Sequence, residues 1–288
     1  MTGVFLLLVA VCIFGGFVLE GGPMHAIYSV WQEYIIIFGG STAIFLAMCP
    51  GKVLKSILDS VGKPFKDSPY NTDTFAETLQ MMYECFINLK RGGLLSMEKD
   101  VSEPSSSSIF TKYPTFLNDH HAVHFFCDSL KLVINYNSKP DEIETAMNAE
   151  IDAHHAEAGI GPGAINRVAD AMPAVGIVAA VLGVIIAMAH IDGPPAELGH
   201  KVSAALTGTM LGILTAYGYY QPIAQHLEYL NEDESQYYNM LKEGLLAYLN
   251  GAEPLAAVEI ARRTVFHYNR PSGAALEDAL MSIKPRAK

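Results

Sequence analysis

Apolar residues are concentrated in four stretches that contain no Asp, Glu, Lys or Arg. A helix that crosses a bilayer needs roughly 20 predominantly apolar residues, and a charge near the bilayer centre is costly. Four such stretches in one chain therefore predict four transmembrane helices rather than buried helices of a soluble core. They cover residues 2–19, 34–51, 171–191 and 202–227.

Basic residues indicate how these spans are oriented. The loops 20–33 and 192–200 contain no Lys or Arg, whereas four lysines, Lys63 and Lys66 among them, lie between residues 52 and 66. Cytoplasmic segments near membrane spans carry an excess of Lys and Arg. We therefore expect both short loops outside, and both termini and the two long segments in the cytoplasm.

The long polar segments carry helical signals. Thr74-x-x-Glu77 has the spacing of a capping box, and the apolar run after it is followed by Gly92-Gly93. Asp141 is expected to cap a helix that Gly159 ends. Few runs alternate in the manner of strands, so we predict an all-α membrane protein. The expected domains are a transmembrane hairpin (1–51), a cytoplasmic helical domain (52–170), a second transmembrane hairpin (171–227) and cytoplasmic C-terminal helices (228–288).

The composition excludes several classes of protein. Acidic residues outnumber basic ones by 30 to 19, and half of the chain is apolar, which argues against a nucleic-acid binder and against a disordered chain. Four cysteines lie far apart without a C-x-x-C pair, so neither a disulfide framework nor a zinc ribbon is expected.

Signatures of common enzymes do not occur: the chain has no H-E-x-x-H, P-loop or G-x-S-x-G motif. Adjacent histidines on a helix point about 100° apart, so one member of a pair faces any given ion. We therefore interpret the histidine groups as solvated helical faces and expect no metal or cofactor. The candidates considered for a metal site are His120, His121 and His124, and His154 and His155 with Glu150.

The third and fourth spans carry stripes of small residues at helical spacing. The stripes consist of Gly176, Ala180, Gly183 and Ala187 on the third span and Ala205, Gly208, Gly212 and Thr215 on the fourth. Small residues let helices approach closely in lipid, where association lacks a hydrophobic driving force. Two interpretations stay open: the helices pack on each other, or the stripes line a passage and receive helices from another protein.

Polar residues at these spans are few. Thr209 shares a helical face with Gly212 and Ala216, and its hydroxyl can either bond the preceding turn or leave room for water or an ion. Pro173 and Pro222 mark the cytoplasmic ends of the third and fourth spans, where proline can bound a helix or form a hinge. No carboxylate lies inside a predicted span, so a partner must supply the acid if the chain conducts protons.

Long motifs on these spans resemble a known family. Residues 172–184 read Met-Pro-Ala-Val-Gly-Ile-Val-Ala-Ala-Val-Leu-Gly-Val, and residues 208–218 read Gly-Thr-Met-Leu-Gly-Ile-Leu-Thr-Ala-Tyr-Gly. Residues 195–199 (Pro-Ala-Glu-Leu-Gly) and 96–100 (Ser-Met-Glu-Lys-Asp) match as well. Over nearly its whole length, the sequence resembles the MotA family of flagellar stator A subunits within the MotA/TolQ/ExbB group.

The resemblance implies an ion channel of the bacterial inner membrane that works with MotB. MotB would supply a transmembrane helix with the ion-carrying aspartate and a peptidoglycan anchor. Five A chains would surround two B helices and exert torque on the rotor protein FliG, which drives motility. The resemblance also implies that Thr209 faces the ion path and that Pro173 and Pro222 couple ion passage to the cytoplasmic domain. Sodium-driven relatives tend to carry a hydroxyl where this chain has Ala180, so we expect protons.

The resemblance places the rotor contacts at Glu98 and at a nearby base, either Lys90 or Arg91. These three residues could equally form an ordinary solvated surface, since exposed charge pairs add little stability. Two other functions stay open at this point. One is a TolQ- or ExbB-like unit that energises outer-membrane processes, and the other is a membrane scaffold that does not conduct.

Overall fold

The computed structural model describes residues 2–60, 65 and 68–283, and these contain helices and no strand. The all-α prediction is therefore confirmed, whereas Lys63 and Lys66 lie outside the described residues. Two short π-helical segments (Ile35–Gly39 and Ala216–Tyr220) and three 3-10 turns (Leu94–Met97, Pro104–Ser106 and Phe110–Lys112) accompany the α-helices. The α-helices are α1 (Thr2–Leu19), α2 (His25–Tyr28), α3 (Trp31–Tyr34), α4 (Gly40–Met48), α5 (Gly51–Ser60), α6 (Thr72–Gly92), α7 (Glu98–Ser102), α8 (Pro114–Asn118), α9 (His120–Tyr136), α10 (Pro140–Met188), α11 (Pro195–Thr215), α12 (Gln221–Leu249), α13 (Pro254–Thr264) and α14 (Gly273–Met281).

The chain divides into two compact units. The first comprises residues 1–67 and 158–229, and the second comprises residues 68–157 and 230–288. These units are distinguished by internal packing and not by contact with lipid. The division into membrane and cytoplasmic domains at residues 52, 171 and 228 therefore stays a prediction.

Two helices of the described chain are long and apolar enough to cross a membrane, α1 and α10. Large apolar side chains along α1, such as Phe5 and Leu7, are exposed, as expected where lipid or another protein covers them. The second predicted span lies across α3, a π segment and α4, and the fourth lies across α11, a π segment and the start of α12. The number of four spans therefore stays a prediction.

Helix α10 is longer than the sequence indicates. The prediction that Gly159 ends a helix is wrong, because α10 continues through it and through Pro162 and Pro173 to Met188. Glycine ends a helix most readily where it takes a positive φ, and Gly159 is absent from the positive-φ glycines of the described chain, which are Gly21, Gly93 and Gly251. Helical propensity alone is a weak guide, since packing overrides it.

The second unit is built around α6. The capping box at Thr74 is wrong: Asn71 caps the helix, and its side-chain oxygen accepts hydrogen bonds from the backbone N–H groups of Asp73 and Thr74. At the other end, Gly93 follows the helix with a φ of 72°. The prediction that Gly92-Gly93 ends this helix is therefore confirmed.

Several buried polar groups in the second unit are paired with one another. The carboxylate of Glu84, which is 3% exposed, accepts hydrogen bonds from the Lys112 ammonium and, at 2.9 Å, from the Tyr113 hydroxyl. Burial, and next the bond to Glu84, raises the pKa of Tyr113. The hydroxyls of Thr78 and Tyr237 lie 2.8 Å apart in the aromatic core. A partner for each buried group is the condition under which such polar atoms are tolerated.

Candidate ion pathway and rotor-facing surface

Helices α10 and α11 form a hairpin whose backbones touch at glycines. A Cβ atom added at Gly176 would lie 3.1 Å from the Gly208 carbonyl oxygen and 3.3 Å from the Gly212 Cα atom. One added at Gly212 would lie 2.8 Å from the carbonyl oxygen of Met172. Because side chains larger than hydrogen do not fit there, glycine is what permits this close approach.

The same contact continues toward the hairpin loop. A Cβ atom at Gly183 would lie 2.7 Å from the Cβ atom of Ala205. The four glycines Gly176, Gly183, Gly208 and Gly212 therefore all serve contacts of this hairpin. This geometry favours the first of the two interpretations, in which the small residues pack the two helices on each other.

A carboxylate also reaches this hairpin. The side chain of Glu33 on α3 is 7% exposed, and a Cβ atom at Gly208 would lie 2.9 Å from its Oε2 atom and 3.3 Å from the Cβ atom of Ala179. No carboxylate lies within the ranges of the four predicted spans, but this one packs against the hairpin from just outside them. Glu33 directly precedes the second predicted span. It lies among the packed helices because α3, the helix that contains it, contacts α11. The sequence signal for this contact was the position of Glu33 between Trp31 and Tyr34, at the start of an apolar run.

Two threonines of α11 differ in their surroundings. Thr207 is buried, and its hydroxyl donates to the Ser203 carbonyl oxygen at 2.9 Å, the usual structural role of an intrahelical threonine. Thr209 and Ala180 are each half-buried and directly follow Gly208 and Ala179. Both therefore lie at the level of the glycine contact.

The two candidate coupling prolines stand in different local structures. Pro173 lies within α10, and its ring removes a backbone hydrogen bond to Ala169. Pro222 follows the π segment Ala216–Tyr220 and is exposed. In a regular α-helix the Pro222 ring would clash with the carbonyl of Gly218, four residues earlier. The π segment contains Gly218, so the helix is not regular at that position.

The candidate rotor contacts lie on the surface of the second unit. The Lys90 ammonium, at the end of α6, forms an ion pair with the carboxylate of Glu253, which precedes α13. Arg91 and Glu98 are exposed, and within the described residues neither takes part in an ion pair. Glu253 was not among the residues singled out from the sequence, because a contact across 163 positions leaves no local signal.

The histidine groups make local contacts. His154 Nε2 lies 3.7 Å from Glu234, His155 Nδ1 lies 2.9 Å from the Ser235 hydroxyl, and the rings of His121 and His154 are 5.8 Å apart. Burial raises the pKa of Glu150 nearby, and Asp128 adds to this effect. No group of three or more His, Cys, Asp or Glu side chains in the described part of the chain is arranged to hold a metal ion.

Comparison with known proteins shows the family. Residues 3–93 match the model for the motility protein A N-terminal region, and residues 118–240 match that for the MotA/TolQ/ExbB proton channel family. Motility protein A of Salmonella typhimurium is 36% identical over 272 residues, which is 94% of this chain and 92% of that protein. The chain belongs to the motility protein A family. The relative from Escherichia coli matches to the same extent.

Solved structures agree with the family at the level of the fold. The structure of C. jejuni MotAB superposes with a TM-score of 0.76 at 21% identity and covers 94% of this chain and 98% of that one. The flagellar MotAB stator complex from Bacillus subtilis gives 0.70 at 23% identity, with coverage of 93% and 96%. The prediction of a membrane-embedded flagellar stator subunit is confirmed, and the family model over residues 118–240 is that of a proton channel.

Proposed function

We propose that the chain forms a proton channel with a MotB partner in the bacterial inner membrane, and that proton flow exerts torque on FliG. The observation that carries this proposal is the extent of the similarity, which covers 94% of the chain and therefore includes both units. The match of residues 3–93 to a motility-specific model favours this function over a TolQ- or ExbB-like energiser.

The proposed membrane arrangement has four spans with both termini in the cytoplasm. Lysines follow the second span, and the two short loops lack Lys and Arg, as the positive-inside rule requires. The exposed apolar side chains of α1 and α10 need lipid or neighbouring subunits to cover them. A ring of five such chains around two partner helices is the arrangement that the family resemblance implies.

The proposed ion path runs along the α10–α11 hairpin at Thr209 and Ala180. These residues are half-buried at the level where the glycines bring the two helices together. A single hydroxyl and a methyl group provide few ligands for a dehydrated sodium ion, which prefers several oxygen atoms. A proton needs a carboxylate and water, and the partner would bring the main carboxylate.

The proposed coupling elements are Pro173 and Pro222. A missing backbone hydrogen bond in α10 and the π segment before α12 each lower the cost of bending a long helix. Movement at Thr209 would then change the angle of a helix that continues beyond the hairpin.

We expect Arg91 rather than Lys90 to face the rotor. Glu253 partly neutralises Lys90, whereas the exposed Arg91 presents an uncompensated charge that can steer an acidic rotor surface. Arg91→Glu should therefore reduce swimming speed about tenfold or more, while Lys90→Glu reduces it less. Swimming speed in a host that lacks its own A subunit measures both. A larger loss in Lys90→Glu, restored by a compensating rotor substitution, would contradict this assignment.

Glu98 is proposed as the acidic rotor contact. Reversal of its charge, Glu98→Lys, should weaken torque without changing proton leak through a complex whose partner lacks its plug. Glu98 is exposed at the first turn of α7, so its removal leaves the core unchanged. Lys99→Glu, which also reverses an exposed charge on the same turn, is the matched control. Equal loss of torque and leak in Glu98→Lys would indicate a folding defect.

The coupling ion is tested by motility in matched buffers. The chain and its partner are expressed together, and swimming speed is measured while potassium replaces sodium. Proton coupling predicts the same speed in both buffers and a loss of speed when the pH gradient and membrane potential are collapsed. A requirement for sodium would contradict the proton assignment.

A further inference from the structure

Glu33 carries a buried carboxylate that has no role in the channel proposed above. Its Oε2 atom is fully buried, and no hydrogen-bond donor of the described chain reaches it. A buried polar atom without a partner is rare, and each one calls for an explanation such as a functional role or an unseen ligand.

The surroundings of this carboxylate are small and apolar. Gly208 and Ala179 lie against it, and the missing side chain at position 208 makes the space that its oxygen occupies. No Lys, Arg or His nitrogen among the described residues forms a salt bridge with it. An ionised carboxylate without a counterion is strongly disfavoured in such surroundings, so burial favours the neutral, protonated form of Glu33.

Charged and titratable groups on α10 and α11 lie at other levels. Each is at least seven residues from position 208 on α11, or nine from position 179 on α10, and at 1.5 Å per residue this is roughly 10 Å or more. The nearest of them are Glu197, His200 and Lys201 on α11, Arg167 and Asp170 on α10 and His190 after it. The titratable groups on the other two helices are His25 and Tyr28 on α2 and Tyr34 on α3, whose hydroxyl donates to the Ile27 carbonyl oxygen.

The position of Glu33 relates it to the ion path. Gly208 and Ala179 directly precede Thr209 and Ala180, so the carboxylate lies at the same level of the hairpin as the proposed path. It is the last residue of the first loop, 20–33, which is expected outside, and it directly precedes the second predicted span.

We propose that Glu33 is a proton-binding site of the channel, in series with the carboxylate that the partner brings. The neutral Glu33 side chain releases its proton toward the partner's carboxylate. The Glu33 carboxylate left behind then takes up a proton from outer water, which restores the neutral acid, so no net charge accumulates in the chain. This inference rests on the proposed function.

The test measures proton flux in liposomes that contain the chain with an unplugged partner and a pH-sensitive dye. Glu33→Gln keeps the size and hydrogen-bonding capacity of the side chain but cannot exchange a proton. We expect it to lower flux about tenfold or more and to remove one titrating step from the dependence of flux on outer pH. Glu33→Asp keeps the acid and should retain a substantial part of the flux and that step.

The matched control is Glu20→Gln, which removes an exposed acid from the same outer loop and should leave flux unchanged. Wild-type flux and pH dependence in Glu33→Gln would overturn the inference. Equal loss in the Gln and Asp variants would also overturn it, because it would assign Glu33 a structural role. Absence of flux from the wild-type complex would instead contradict the proposed function, whatever Glu33 does.

Discussion

Gly212→Ala is expected to abolish motility by separating the two helices of the hairpin. The added methyl group would lie 2.8 Å from the Met172 carbonyl oxygen and 3.1 Å from the Gly176 Cα atom. Both obstacles are backbone atoms, so no rotamer change relieves the clash. Overpacking of this kind costs about 3 kcal/mol, the upper part of the range for tightly packed sites.

The effect is measured by swimming and by the thermal stability of the purified membrane complex. Gly163→Ala is the matched control, because it makes the same substitution in α10 where no atom outside the local helix lies within 4 Å. The control should keep motility, since alanine in a helix is favoured over glycine. Normal stability of Gly212→Ala together with normal swimming would contradict the close hairpin contact.

Thr209→Ile is expected to abolish motility while the chain still assembles with its partner. Thr209 is half-buried beside the glycine contact, so a larger apolar side chain fills the space where water or an ion would pass. Proton flux through the unplugged complex should fall with swimming speed, whereas the amount of partner that copurifies should stay the same.

Two smaller substitutions at position 209 distinguish the effect of side-chain volume from the effect of the hydroxyl group. Thr209→Ser keeps the hydroxyl and should support swimming, whereas Thr209→Val keeps the shape and loses the hydroxyl. A functional Val variant would mean that open space rather than the hydroxyl is required. Normal swimming speed of Thr209→Ile would show that the ion path lies elsewhere.

Several features of the fold could be predicted because they depend on local chemistry. The glycine that follows α6 takes a positive φ that other residues rarely adopt, so Gly93 marked that helix end. Gly176 and Gly183 are seven residues apart and Gly208 and Gly212 are four apart, and either spacing places a pair on one face of a helix. The structure brings those faces together in the hairpin.

Other features could not be predicted because distant residues decide them. Gly159 and Pro162 are poor helix residues, yet α10 passes through both, since tertiary packing outweighs intrinsic propensity. Asn71 and Thr74 are both good capping residues, and the sequence offered no reason to prefer the first. The pair of Lys90 with Glu253 joins the ends of two helices that are far apart in the chain.

The sequence by itself determined that this is a helical protein of the motility protein A family, because the spacing of apolar, small and charged residues is a local property. Only the tertiary structure decided which of those residues meet. Glu33 is the clearest case: counted along the chain, it belongs to an outer loop, but α3 packs it against Gly208. Burial depends on what surrounds a group in space, and a linear pattern of hydropathy contains no information about that neighbour.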